Sequence, residues 1–340
     1  MALASEGAVI VSRTPLRISF FGGGTDYPAW SREHGGKVLS ATIDKYTFLT
    51  VRRLPPFFEH KNRIVYRRIE MTASVKEIQH PTVRAVLEHL GLEGMEIHHD
   101  ADLPARSGMG TSSAFTVGLL NACHALEGRR TLKENLALDA IHVEQILLQE
   151  TVGSQDQVAA AYGGLNQIAF KKGFSDGACR GSFEVDALPL PSWRLEELQN
   201  HLLLFFTGIA RTASDVASSF VPGLATNAAL HGSEKQVEDA IRILDNPGSI
   251  LPFGSLLHDA WTKKRSISSK ISTPAIDTYY ATAREAGAIG GKLLGAGGGG
   301  FLLFFAPPKA HQVLRSRLGL LEVPFRFETG GSRILVYEPG

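Results

Sequence analysis

From Val9 to Val51, short β-branched and aromatic runs alternate with glycine turns, as in IVSRTPLRISFFGGGTD and KVLSATIDKYTFLTV. That pattern predicts antiparallel strands. Residues 81–90 (PTVRAVLEHL) place apolar side chains at helical spacing, and 94–102 (GMEIHHDAD) returns to a strand. A helix is predicted to open at Thr111, capped by hydroxyl residues, and to run through SSAFTVGLLNACHAL until stopped near Gly128. A second long helix is predicted over 131–150 and a strand over 165–170.

The segment 171–193 is rich in glycine, proline and polar residues, so a boundary is expected near 190–200, giving domains 1–195 and 196–340. Beyond it come a strand (HLLLFFTG) and helical stretches around 211–230, 255–270 and 275–287. IGGKLL and FLLFFA then read as paired strands around a glycine loop, followed by a helix at 308–318 and two closing strands. The expected fold class is α+β, and 340 residues suit two domains.

Composition narrows the function. Apolar residues at 44% and charged residues at 20% describe a globular chain. Its longest apolar runs, 202–206 and 301–306, fall far short of the roughly eighteen residues of a membrane helix. The start shows no secretory pattern, so the cytoplasm is the expected compartment. The 35 basic and 34 acidic residues leave a net charge of +1 and no basic run, so nucleic acid is not an expected partner. Of the two cysteines, Cys123 lies in an apolar helical pattern and is expected to be a buried free thiol. Glycine is the one excess, clustered at 22–24, 163–164 and 295–300.

The strongest local signal is LPARSGMGTSSAFTVGLL at 103–120, where a glycine and hydroxyl loop runs straight into an apolar helix. The first turn of a helix has unpaired N–H groups and partial positive charge, so Gly110, Thr111, Ser112 and Ser113 make a ready phosphate site. Gly108 and Gly110 allow close backbone approach. The alternative is that Thr111 or Ser112 only caps a structural helix, which leaves both glycines unexplained. No G-x4-G-K-[ST] occurs, so this is not a P-loop. Asp26, just after a glycine turn, is placed either to accept sugar hydroxyls or to serve as a plain turn residue. Gly295, Gly297 and Gly300 satisfy G-x-G-x-x-G, but a strand rather than a helix follows, which disfavours a dinucleotide fold. His98 and His99 alternate on a strand without ligand partners and are expected to be structural.

Residues 104–114 (PARSGMGTSSA) resemble the phosphate loop of the GHMP kinases (galactokinase, homoserine kinase, mevalonate kinase, phosphomevalonate kinase), with Met109 in the apolar place. RTPLRISFFGGGTDYPAW at 13–30 resembles that family's first motif and KLLGAGGGG at 292–300 its third. The resemblance implies an N-terminal domain like domain 2 of ribosomal protein S5 and a C-terminal ferredoxin-like α/β sandwich. It implies ATP and Mg2+ as cofactors, with phosphates on Gly108, Met109, Gly110, Thr111, Ser112 and Ser113. GSQDQ at 153–157 resembles the segment with the catalytic aspartate, so Asp156 is the implied base with Arg17 beside it. A carboxylate takes the hydroxyl proton while a guanidinium offsets charge on the phosphoryl group. By the same resemblance Ser112 and Glu144 hold Mg2+, Glu150 being the substitute for the latter. The implied substrate site comprises Gly22, Gly23, Gly24, Thr25, Asp26, Gly163, Gly164, Arg211, Gly297, Gly298 and Gly299.

ATIDKY, VGSQDQ, FTGIARTASDVA and KLLGAGGGGFLLF are similar to the subfamily that phosphorylates D-glycero-D-manno-heptose 7-phosphate at the anomeric position for bacterial surface polysaccharide. Lys45 and Arg211 are the candidates for holding the 7-phosphate. L-fucose kinase is the alternative, since that group shares the glycine turn, and a sugar and ATP sensor is the alternative of another class. A small-molecule sugar or sugar phosphate is the expected partner, with no membrane and a monomer or homodimer.

Overall fold

A computed structural model describes residues 7–105, 107–173, 180–209 and 216–338. The predicted opening strands form as β1 (Val9–Phe21) and β2 (Gly36–Arg53), paired antiparallel. Pro15 cannot donate to the ladder, and the register shifts between it and Leu16. Between the strands lie the Gly22–Asp26 turn and a short helix that the strand pattern did not predict, α1 (Pro28–His34). There follow β3 (Asn62–Val65), β4 (Ile69–Thr72), α2 (Pro81–Leu90) and β5 (Met95–Ala101). Later come β6 (Leu165–Phe170) and β7 (Phe183–Ala187), the latter inside the segment rich in glycine, proline and polar residues. With β12 (Arg333–Glu338) they make one eight-stranded sheet, in the order β12-β1-β2-β5-β3-β4, with β6 on β2 and β7 on β6.

Helix α3 (Thr111–Leu126) spans the predicted residues and packs across β1 and β2. It is apolar almost all round because it is buried almost all round. Ser12 Oγ donates to the Gly118 carbonyl at 2.9 Å, tying helix to strand. The single helix expected over 131–150 is corrected: α4 (Lys133–Ile141) passes into a π-helical turn, His142–Leu147, which ends the run. Helix α5 (Gln155–Tyr162) follows.

The second half contains α6 (Ser192–Asn200), β8 (Leu202–Phe206), α7 (Ser233–Asp245), α8 (Leu251–Ile267), α9 (Pro274–Glu285), β9 (Gly290–Leu293), β10 (Phe301–Phe305), α10 (His311–Leu318) and β11 (Leu321–Glu322). Of the helical stretch expected over 211–230, residues 221–226 and 228–230 form 3-10 turns. The four-stranded sheet runs β11-β8-β10-β9, all antiparallel. LLLFF and FLLFF read as continuous apolar runs because both faces of the sheet are covered. Leu203, Phe205, Leu302 and Phe304 pack under Trp261 and Tyr280. Leu204, Leu303 and Phe305 join the core of the first half, where the ring of Phe253 lies 5.6 Å from Phe20 and 5.1 Å from Phe21.

The two closing strands do not both belong to the second sheet. β11 does, but β12 crosses back to the open edge of β1, pairing from Val9 with Glu338 to Arg13 with Arg333. An unpaired edge on a long buried strand is a liability, and β12 covers it. Among the described residues no helix is long and apolar enough to cross a membrane.

Candidate active site

The loop before α3 brings two chain segments together main chain to main chain. A Cβ on Gly108 would stand 2.6 Å from the Leu294 carbonyl oxygen, and one on Gly300 would stand 2.1 Å from that of Ser107. Gly295 and Gly300 of the third motif therefore let the loop before α3 seat against it. Lys264 on α8 braces the seat, donating to the Leu293 carbonyl at 3.0 Å and to that of Gly295. The helix is not capped by a hydroxyl, as the sequence suggested; its N-cap is Gly110, in the left-handed region with φ 75°. The first ladder bond runs from the Ala114 N–H to the Gly110 carbonyl at 2.8 Å, so the N–H groups of Thr111, Ser112 and Ser113 lie ahead of the ladder.

Arg17, on β1, and Asp156, in the first turn of α5, meet in a bidentate fork with both N···O distances at 2.7 Å. The remaining guanidinium nitrogen donates to the Gly108 carbonyl at 2.7 Å, and the Arg17 N–H bonds the Met109 carbonyl at 3.1 Å. One buried cation thus locks the carboxylate to the phosphate loop. The N-terminal end of α5 also favours the negative charge of Asp156. A Cβ on Gly110 would lie 3.4 Å from an Asp156 oxygen, which places the loop directly against the carboxylate.

Glu144 is buried and accepts from Ser113 Oγ at 2.9 Å, Thr116 Oγ1 at 2.7 Å and Gln157 Nε2 at 2.5 Å. The extra residue of the π-helical turn swings it inward. Burial first, with the charge of Glu150 adding to it, raises its carboxyl to about 7. Its hydroxyl neighbour in the first turn of α3 is Ser113 rather than Ser112, which is exposed. The side chain of Ser113 is turned inward on α3, and that of Ser112 faces outward.

Asp26 is buried, accepts the N–H of Gly24 at 2.9 Å and that of Gln155 at 3.3 Å, and is shifted upward by burial and by Asp156. A Cβ on Gly153 would overlap its carboxylate at 1.9 Å, so the glycine that opens GSQDQ makes room for Asp26. Lys292 on β9 donates to the Phe20 carbonyl at 2.8 Å, and burial together with the Arg17 charge lowers its ammonium to about 7.

Comparison with known proteins agrees with this geometry. Residues 75–164 match the GHMP kinases N terminal domain, and residues 236–317 match the GHMP kinases C terminal domain. The chain belongs to the GHMP kinases. It is 29% identical to a D-glycero-alpha-D-manno-heptose 7-phosphate kinase of Campylobacter jejuni, over 90% of this chain and 92% of that one. It is 27% identical to an L-fucokinase/L-fucose-1-P guanylyltransferase of Bacteroides fragilis, over 91% of this chain but 36% of the longer protein. The crystal structure of a D-glycero-D-manno-heptose 1-phosphate kinase from Bacteroides thetaiotaomicron superposes with a TM-score of 0.75 at 24% identity, covering 96% of this chain and 99% of that one. As a GHMP kinase the protein is an ATP-dependent phosphotransferase with the two-part fold of that family.

The remaining residues singled out in this kinase's sequence lie at several separate places. Gly22, Gly23, Gly24, Thr25 and Asp26 form one turn beside Asp156, and Thr25 Oγ1 donates to the Gly22 carbonyl at 2.8 Å. Gly163 and Gly164 pack instead against the segment leading to β12, a Cβ on Gly163 standing 2.0 Å from the Gly330 carbonyl carbon. Gly297 and Gly298 abut Ile271, and Gly299 abuts Ile209. Lys45 is tied to the Asp44 carboxylate at 3.3 Å, and Arg211 lies outside the described residues. His98 bonds Glu96 at 2.8 Å, His99 bonds Thr47 at 2.7 Å, and Cys123 is a buried free thiol pushed up to about 12. Sequence reading missed Gly153, Gln155, Lys264 and Lys292. Lys292 opens the third motif and Lys264 lies in the helical stretch 255–270, yet only the fold shows whose carbonyls they meet.

Proposed function

We propose that this kinase phosphorylates the anomeric hydroxyl of D-glycero-D-manno-heptose 7-phosphate, giving the 1,7-bisphosphate. The observation that carries a phosphotransfer reading is the Arg17–Asp156 fork, held against the phosphate loop by the third guanidinium bond to Gly108. The choice of acceptor rests on the Campylobacter jejuni relative, which matches nearly end to end. Asp156 takes the proton of the attacking hydroxyl, while Arg17 keeps that carboxylate aimed and offsets charge on the transferring group. The N–H groups at the start of α3 orient the phosphates, and Asp26 accepts from the sugar. An intact fork supports turnover over a sensor role.

Glu144 and Ser113 supply a buried carboxylate and a hydroxyl at the phosphate end, an all-oxygen set that suits Mg2+. Mg2+ is ordinarily held through one or two protein groups plus phosphate and water. Bound there, Mg2+ would neutralise charge on the phosphate oxygens.

A protonated Glu144 cannot hold a cation, and its carboxyl is raised to about 7. The Mg2+ concentration for half-maximal rate is therefore expected to fall by up to about tenfold per pH unit as pH rises toward 7, and to level off above it. Without metal the raised value works the other way on folding. The stabilisation is complete below the unfolded carboxyl's range, near 4.5, and is lost as pH rises through about 7. Titrating Mg2+ at several pH values checks the first statement; a half-saturation independent of pH would remove Glu144 from the metal site.

The acceptor is tested by ADP release with no sugar, with D-glycero-D-manno-heptose 7-phosphate, with the unphosphorylated heptose and with L-fucose. The highest kcat/KM is expected for the 7-phosphate. L-fucose equalling it would favour the fucokinase reading, which the 27% identical relative supports.

A further inference from the structure

The Gln155 side chain is buried, yet among the described residues its amide makes no hydrogen bond, and its carbonyl oxygen is enclosed without a partner. Buried amides are ordinarily satisfied, so one that is not calls for a ligand or a water. The residue that carries this amide is tied to both carboxylates of the site. Its own backbone N–H binds Asp26 at 3.3 Å, and the next residue is Asp156.

Gly23 makes the second, independent observation. A Cβ there would meet only Ser19 Oγ at 3.5 Å and Gln155 Nε2 at 3.7 Å, ordinary contacts, and its φ is not in the left-handed region. The fold would accept a side chain at this position. Its neighbours differ: a Cβ on Gly22 would sit 1.8 Å from the Lys37 carbonyl oxygen, and Gly24 has φ 106° and Leu230 at 3.0 Å. The space over Gly23 is bounded by a free amide and by the Ser19 hydroxyl, which is also buried without a partner.

We infer that Gln155 and Gly23 form a specificity corner that reads a hydroxyl of the acceptor, the Gln155 amide bonding the hydroxyl and the bare Gly23 backbone leaving room for the ring that carries it. This rests on the sugar-kinase reading above and adds the residues that select the substrate class, a polyhydroxylated ring rather than an apolar alcohol. An amide can both donate to and accept from a hydroxyl, so it complements the acceptor-only Asp26 on the same ring.

The test uses the whole enzyme with D-glycero-D-manno-heptose 7-phosphate and L-fucose as acceptors, in Gln155→Met and Gly23→Ala. The KM for the accepted sugar is expected to rise about tenfold or more in each, because a site built to bond a hydroxyl loses it with its partner. The KM for ATP should stay within about twofold, and Tm should not fall in Gln155→Met, since an unsatisfied amide is removed. Gly23→Asn, which adds a second amide but fills the space, should bind sugar no better than Gly23→Ala. Turnover with an unchanged sugar KM in both Gln155→Met and Gly23→Ala overturns this inference alone. A wild-type enzyme that turns over neither sugar overturns the acceptor reading and the corner with it.

Discussion

Asp156→Asn is expected to lower kcat by roughly 10² to 10⁴, the range for a positioned proton acceptor, with the KM for ATP almost unchanged. The substitution keeps the shape of the side chain and still accepts one bond from the Arg17 fork, so the phosphate loop stays seated. What it removes is the ability to take a proton. The measurement is steady-state ADP release under saturating sugar and ATP. Turnover within a fewfold of wild type would take Asp156 out of the mechanism.

Arg17→Ala is expected to cost about 10² to 10³ in kcat, on the scale of losing one preorganised donor at the transition state. Two structures fail together. Asp156 loses both its 2.7 Å partners, and the Gly108 carbonyl loses the donor that ties the phosphate loop to β1. Arg17→Lys should recover little, because one ammonium cannot span two carboxylate oxygens and a carbonyl. Since the two residues act as a unit, the double variant Arg17→Ala/Asp156→Asn should be scarcely slower than the slower single one. Losses that multiply in the double variant would mean that the fork is not a functional pair.

Local chemistry was the legible part of this fold. A glycine and hydroxyl loop entering a helix leaves its first N–H groups ahead of the ladder whatever surrounds it, so the junction within 103–120 could be read locally. Which hydroxyl points inward could not. Thr111, Ser112 and Ser113 follow one another on a helix whose rotation is set by its packing on β1 and β2, and that rotation selects Ser113 for Glu144. Glu144 itself reads as an ordinary helical glutamate, because nothing local announces the π-helical turn that buries it. Long-range pairing was equally hidden: β12 finds the edge of β1 across more than 300 residues, and Lys292 meets Phe20 across 272. Helices α1 and α6 are short and flanked by proline, which mutes the apolar periodicity that marks longer ones.

The most direct measurement is phosphorus NMR of the products after incubation with ATP, Mg2+ and D-glycero-D-manno-heptose 7-phosphate. ADP is expected in step with a new sugar phosphate signal coupled to the anomeric proton, the 7-phosphate signal remaining beside it. ADP without that signal, or a phosphate on any other carbon, would contradict the proposed function.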